Sequence, residues 1–223
     1  MRKYILFTIP FAVIMILVSI NCRLTVTEYG IERFNVAVLD GSLINMIENE
    51  VEDTIDSSKY IIKAKCIDDA QLNFLCTIQS VEIEEIYKGE GLKQGDVINV
   101  IPINSCIYQE DMSINMGFVN FMQPKKEYLI FLDYSQYSQE QDMEVYFTHD
   151  CMMTTIFAFE DRIYVIPELT SDENTYVNYE IVKDNEFFVS SEKGMEKLLL
   201  FKHKLIEQYC FSSDAVPVSY SVH

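Results

Sequence analysis

Between Asn73 and Tyr87 the apolar side chains change sides of the chain. Phe74, Cys76 and Ile78 share one parity, Val81 and Ile83 take the other, and Ile86 returns to the first. Successive residues of a strand point to opposite faces, so a straight strand cannot do this. The slips predict β-bulges and a bent strand. Long, bent strands are what a small closed barrel needs to turn its corners.

The neighbouring segments supply the remaining staves. Tyr60, Ile62, Ala64 and Cys66 alternate with Lys63 and Lys65, and Asp68-Asp69 gives a turn before the bent strand. DVINVIP (96–102) reads as a strand ended by its proline. EYLIFLDY (127–134) is nearly continuous in apolar residues, as in a strand buried on both faces. SQYSQEQD (135–142) is a polar surface loop. Two more strands are expected, Glu144–Phe147 extending towards Phe159 and Arg162–Ile166, with a turn at Glu160-Asp161. Residues 24–40 show no period and read as a connection, 104–123 read as loop, and 176–188 give no clear signal.

Helical spacing appears on either side of the strands. Leu43, Ile44, Ile47, Val51 and Ile55 predict a helix starting near Ser42, with Glu48, Glu50, Glu52 and Asp53 on its solvated side. Ser191 opens a second, to about Tyr209, with Met195, Leu198, Leu199, Leu205, Ile206 and Tyr209 as its apolar stripe. Glu192 and Glu196 lie near its start and Lys202 and Lys204 further along, as the helix dipole favours.

Ahead of all this stands a leader. Arg2 and Lys3 precede an uncharged run from Tyr4 to Ile20, at the short end of what spans a bilayer. The flanking charges predict a cytoplasmic stub and an external remainder. Three fates are open: an uncleaved signal anchor, a cleaved signal peptide, or lipidation at Cys22. The residues near Ser19–Asn21 suit the anchor best, and all three export the chain.

Of 223 residues, 17 are basic and 35 acidic, a net charge of −18. No acid precedes Glu28, so the part beyond the leader is more acidic still. Such a surface repels nucleic acid and favours cations or basic partners, although solubility alone also accounts for it. The hydrophobic share of 49% excludes a disordered chain. Cys66, Cys76, Cys106, Cys151 and Cys210 follow the leader, an odd number without metal-like spacing. A Cys66–Cys76 bridge across a hairpin fits their placement, as do buried free thiols, which are the favoured reading.

The strand segments SKYIIKAKCI (58–67), EIEEIYKG (82–89), GDVINVI (95–101) and KKEYLIFL (125–132) resemble, in that order, the netrin-like modules related to tissue inhibitors of metalloproteinases. That resemblance implies an OB-fold barrel and, in the inhibitors, a free N-terminal cysteine that clamps a protease zinc. Cys22 instead follows a hydrophobic segment and begins no Cys-X-Cys.

Catalytic signatures are scarce. No HExxH, GxSxG, Gly-rich phosphate loop or DxDxDG loop occurs. His149 and Cys151 are the one nameable thiol pair, yet a Cys–His pair is normally assembled from distant segments. Glu82 and Glu84 could share a face as a weak calcium site, and the outer face of a barrel explains them more simply. No catalytic, cofactor or metal residue is assigned.

The reading is an α+β, mainly β chain with an OB-like small barrel and flanking helices after an N-terminal transmembrane helix. It divides into a stub (1–3), a signal anchor (4–21), a juxtamembrane segment with a helix (22–57), the barrel (58–168) and a C-terminal segment with a helix at about 191–209 (169–223). The expected role is a single-pass, extracytoplasmic, non-catalytic binding module. It would meet the membrane through 4–20 and a protein or peptide through the barrel, with no cofactor. A netrin-like inhibitor is the alternative, and a thiol enzyme a weaker one.

Overall fold

The computed structural model describes Met15 and residues 31–73, 76–108, 112–139, 142–169 and 175–210. The expected anchor, Cys22 and the tail after Cys210 lie outside the described residues. Among the described residues no helix is long and apolar enough to cross a membrane. The body that carries the fold begins at Arg33.

In chain order its elements are β1 (Asn35–Ala37), α1 (Ile44–Ile55), β2 (Tyr60–Cys66), β3 (Gln71–Asn73), β4 (Cys76–Lys88), β5 (Val97–Ile101), β6 (Ser105–Tyr108), β7 (Ser113–Met116), β8 (Glu127–Ser138), β9 (Met143–Thr148), β10 (Ile156–Ala158), β11 (Tyr176–Asn178), α2 (Tyr179–Val182) and α3 (Glu192–Cys210).

Five strands close on themselves in the order β8-β2-β4-β5-β9 and back to β8. Every seam is antiparallel except β5–β9, which is parallel. The fold is therefore mixed α and β, mostly β, around a closed OB-like barrel of five strands. β8 fixes the layering. Tyr128, Ile130 and Leu132 point into the barrel beside Ile62, Ala64, Val81, Ile83 and Val100. Leu129 and Phe131 point outwards into a second core with Ile47, Val51, Leu198 and Phe201 of the helices. Burial on both sides is what the unbroken apolar run of this strand anticipated.

β4 bends as its pattern requires, with one difference. Its ladder with β2 skips at Glu84 and at Tyr87, so the later slip is a pair of bulges. The earlier slip, between Ile78 and Val81, is absent. Thr77, Gln79, Val81 and Ile83 are all buried on one parity, and the pairing with β5 is regular there. Gln79 is polar but inward, because its amide donates to Met122 O at 2.8 Å and accepts from Met122 N at 2.9 Å. β4 ends at Gly89, whose φ of +133° suits glycine and whose hydrogen faces the Tyr60 ring, where a Cβ would come within 2.6 Å.

The helices cover the outer face of β8. α1 buries Ile44, Ile47, Val51 and Ile55. The Ser191 hydroxyl accepts from Gly194 N at the start of α3, which then buries Met195, Leu198, Phe201, Leu205 and Ile206. Each such fully buried side chain contributes roughly 1.5–3 kcal/mol. Lys202 departs from the expected charged face of this helix and is completely buried.

Three segments without a clear sequence signal build a second sheet, ordered β11-β1-β7-β6. β1 lies antiparallel to β11 and parallel to β7, and β6 and β7 form a hairpin. The strand expected from Glu144 towards Phe159 is two strands, β9 and β10, separated by residues 149–155. The strand expected at Arg162–Ile166 has no strand partner among the described residues, and residues 161–169 belong to no helix, strand, turn or bend.

Candidate binding groove

The unpaired segment forms one wall of a groove of about 400 Å³ whose lining also includes Gln123, Lys126, Glu127, Tyr128 and Asp184. Its exposure alternates. Tyr164 and Ile166 pack against the outer core, while Ile163 is 90% and Val165 50% exposed. Asn185 takes the place of a neighbouring strand at one point. Its side-chain oxygen accepts from Val165 N at 2.8 Å, and its amide nitrogen donates to Val165 O at 2.7 Å. Asn185 is itself 1% exposed, so this support comes from inside the body.

Arg162 is turned into the wall. Its guanidinium donates to Tyr128 Oη at 2.7 Å, Phe121 O at 3.2 Å and Asn185 O at 3.3 Å. Lys126 pairs with Glu160 at 2.5 Å. The groove lining therefore carries four carboxylates, at Glu127, Glu160, Asp161 and Asp184, against two cations that are already engaged.

Asp161 links the groove to a buried ion pair. Lys202 Nζ donates to Asp161 Oδ1 at 2.6 Å and to Glu186 Oε2 at 2.7 Å. Glu186 is 4% exposed, and its other oxygen accepts from Ala158 N on β10 at 2.8 Å. Burial pushes the Glu186 carboxyl above the usual carboxylate range, against the pull of Lys202. Partial burial also works against charge on Asp161, but hydrogen bonds from Lys202 and His203 outweigh it and hold that carboxyl below its usual range. His203 Nε2 lies 2.9 Å from Asp161 Oδ1, a hydrogen bond between the two side chains.

The thiol pair does not assemble. His149 Nε2 sits 2.7 Å from Ser58 Oγ, and both residues are buried. Cys151 Sγ donates to Met153 O at 3.0 Å. Burial pushes the Cys151 thiol up to about 12, so it stays protonated and unreactive near neutrality. Cys66 is likewise raised to about 12 by burial and bonds to Asp68 O at 3.2 Å. Among the described residues Cys66, Cys106, Cys151 and Cys210 carry unbridged thiols.

Nor do Glu82 and Glu84 meet as a cation site. Glu82 lies opposite Lys65 and Val97, whereas Glu84 is skipped by the ladder and pairs with Lys63 at 3.2 Å. Lys63 also holds Glu127 at 2.9 Å. Among the described residues no three His, Cys, Asp or Glu side chains are grouped to hold a metal.

His149 gives a pH prediction. Burial holds its pKa below the ordinary 6.5, with a raising contribution from Asp133 and a lowering one from Lys88. The unfolded chain thus binds this proton more readily than the folded one. The stability from a neutral His149 is fully present above about pH 6.5 and is lost as the pH falls through the folded value. His149→Gln keeps a partner for Ser58 and removes the titration. Its thermal midpoint should decline less than that of the parent between pH 6.5 and 5; parallel declines would show that His149 does not titrate in this window.

Sequence alone signalled parts of this site. The alternation of Arg162 to Ile166 is legible, but the lack of a partner strand is not. Lys202 lies four residues after Leu198 and three before Leu205, on the buried stripe of α3. A cation at that spacing is the one available sign of a buried ion pair, and its partner Glu186 has no local marker. The chain matches no family model and no curated protein.

Proposed function

We propose that this chain is a membrane-anchored, extracytoplasmic binding module without catalysis of its own, whose groove beside the OB-like barrel takes a protein or peptide partner. The groove carries the reading. It is a concave site of about 400 Å³ with an exposed apolar wall, built on the outer core and braced by buried Asn185 and Glu186. The leader supports the location, and the charge of −18 argues against nucleic acid.

The test is photo-crosslinking of the full chain in its native envelope. A photoreactive residue replaces Ile163 in the groove or, as a control on α3, Leu200, which is 69% exposed. A defined protein adduct at 163, absent at 200 and from an unrelated acidic protein, is expected. Absence of any adduct at both positions in intact envelopes sinks the reading.

A netrin-like module is the second reading, favoured by one observation. The four segments that resemble that family fall on β2, on the second half of β4, on β5 and on the first half of β8, which are successive strands of the barrel. Inhibition would further require a mature N-terminus at Cys22, which mass spectrometry of the exported protein reads directly. A thiol enzyme at His149 and Cys151 has the least support, given the separate partners of the two side chains.

A further inference from the structure

The geometry points to the occupant of the groove: an extended peptide carrying a basic side chain, added as a strand to residues 162–166. This inference rests on the binding-module reading and names the chemistry of its partner.

Residues 161–169 run without turn or bend, yet among the described residues no strand pairs with them. Val165 directs its N–H and C=O to Asn185. The alternating exposure of Ile163 to Ile166 is that of extended chain, in which the main-chain groups of neighbouring residues alternate in direction, so those of Tyr164 and Ile166 would face the edge opposite Asn185. Among the described residues no hydrogen bond reaches them there. An open edge of this kind is what strand-addition partners use, with main-chain bonds giving affinity and alternate side chains giving specificity.

Ile163 and Val165 stand out from this segment at 90% and 50% exposure, and a strand laid alongside would cover them. Lys126 is neutralised by Glu160, and Arg162 is spent on Tyr128 and two carbonyls. Asp184 is exposed and forms no ion pair among the described residues. A lysine or arginine of the incoming strand complements it.

The test uses the full chain in detergent and a displayed library of random peptides about twelve residues long. Selection is expected to enrich sequences with apolar residues at alternate positions and at least one lysine or arginine. Binding of a selected peptide, followed by fluorescence polarisation, should fall about tenfold or more in Ile163→Asp and in Asp184→Lys. It should fall comparably when alternate peptide nitrogens are methylated, which blocks one edge of the strand. Both substituted positions are exposed, so far-ultraviolet circular dichroism should not change. Binding indifferent to all three changes overturns the proposal, as does a selection without basic residues or no selection at all. If removing residues 211–223 is needed before any peptide binds, the occupant is the chain's own tail and the proposal also falls. If 163 gives a protein adduct in envelopes while the library gives nothing, this proposal fails and the binding-module reading stands.

Discussion

Lys202→Met, made alone, is expected to destabilise the fold by about 3–5 kcal/mol in urea titration, although the new side chain fits a buried position on α3. The loss comes from what is left behind. Glu186 is 4% exposed and would keep one hydrogen bond, from Ala158 N, but no ion-pair partner. Asp161 would retain His203. Removing both charges tests the cause: Lys202→Met with Glu186→Gln keeps an acceptor for Ala158 N and should recover about half of the loss or more. A single variant within about 0.5 kcal/mol of the parent would mean that water reaches the pair and that it does not tie α3 to β10.

Phe157→Ala is the second large effect, at about 3–5 kcal/mol, which for a body of this size lowers Tm by roughly 10 °C. Phe157 is fully buried on β10 and meets Phe131 and Phe201 edge-on, each at 6.1 Å between ring centres, with Phe187 tilted at 6.5 Å. One ring thus touches the barrel strand β8, the helix α3 and the segment that carries Glu186. A cavity there weakens all three attachments together, so barrel and helix signals should melt in one transition at the lower midpoint. If the helical signal melts separately from the barrel in the variant, the outer core is not the common support that the packing implies.

These two sites differ in how far the sequence revealed them. Of the aromatic cluster only Phe131 is visible in the sequence, on the two-sided strand at Tyr128–Leu132; Phe201 is not among the residues read as the stripe of α3, and Phe187 lies where no pattern shows. The period of the side chains sets those elements, and period survives without tertiary information. It fails where a buried position is polar. Gln79 and Thr77 broke the parity of β4 on paper, and distant partners, Met122 first and Asp68 beside it, explain why an amide is inward there. Length was the other limit. β1, β6, β7 and β11 are three or four residues each, too short for a period to show, and their pairings come from distant segments. The groove was half legible: Arg162 to Ile166 alternate as a strand would, while the absence of a neighbour is a property of the assembled body.

The wiring of the barrel also sets the order in which the chain can acquire it. Tyr60 on β2 meets Leu132 on β8, and Val100 on β5 meets Tyr146 on β9. The barrel cannot shut until Thr148 has been synthesised, and Val36 must wait for Val177. Contacts so distant in sequence make for slow folding, during which sticky strand edges stay open. Birth from the N-terminus therefore leaves β2, β4 and β5 without their closing partners through much of translation. Over that interval the nascent chain carries strand edges that its own later residues have still to cover.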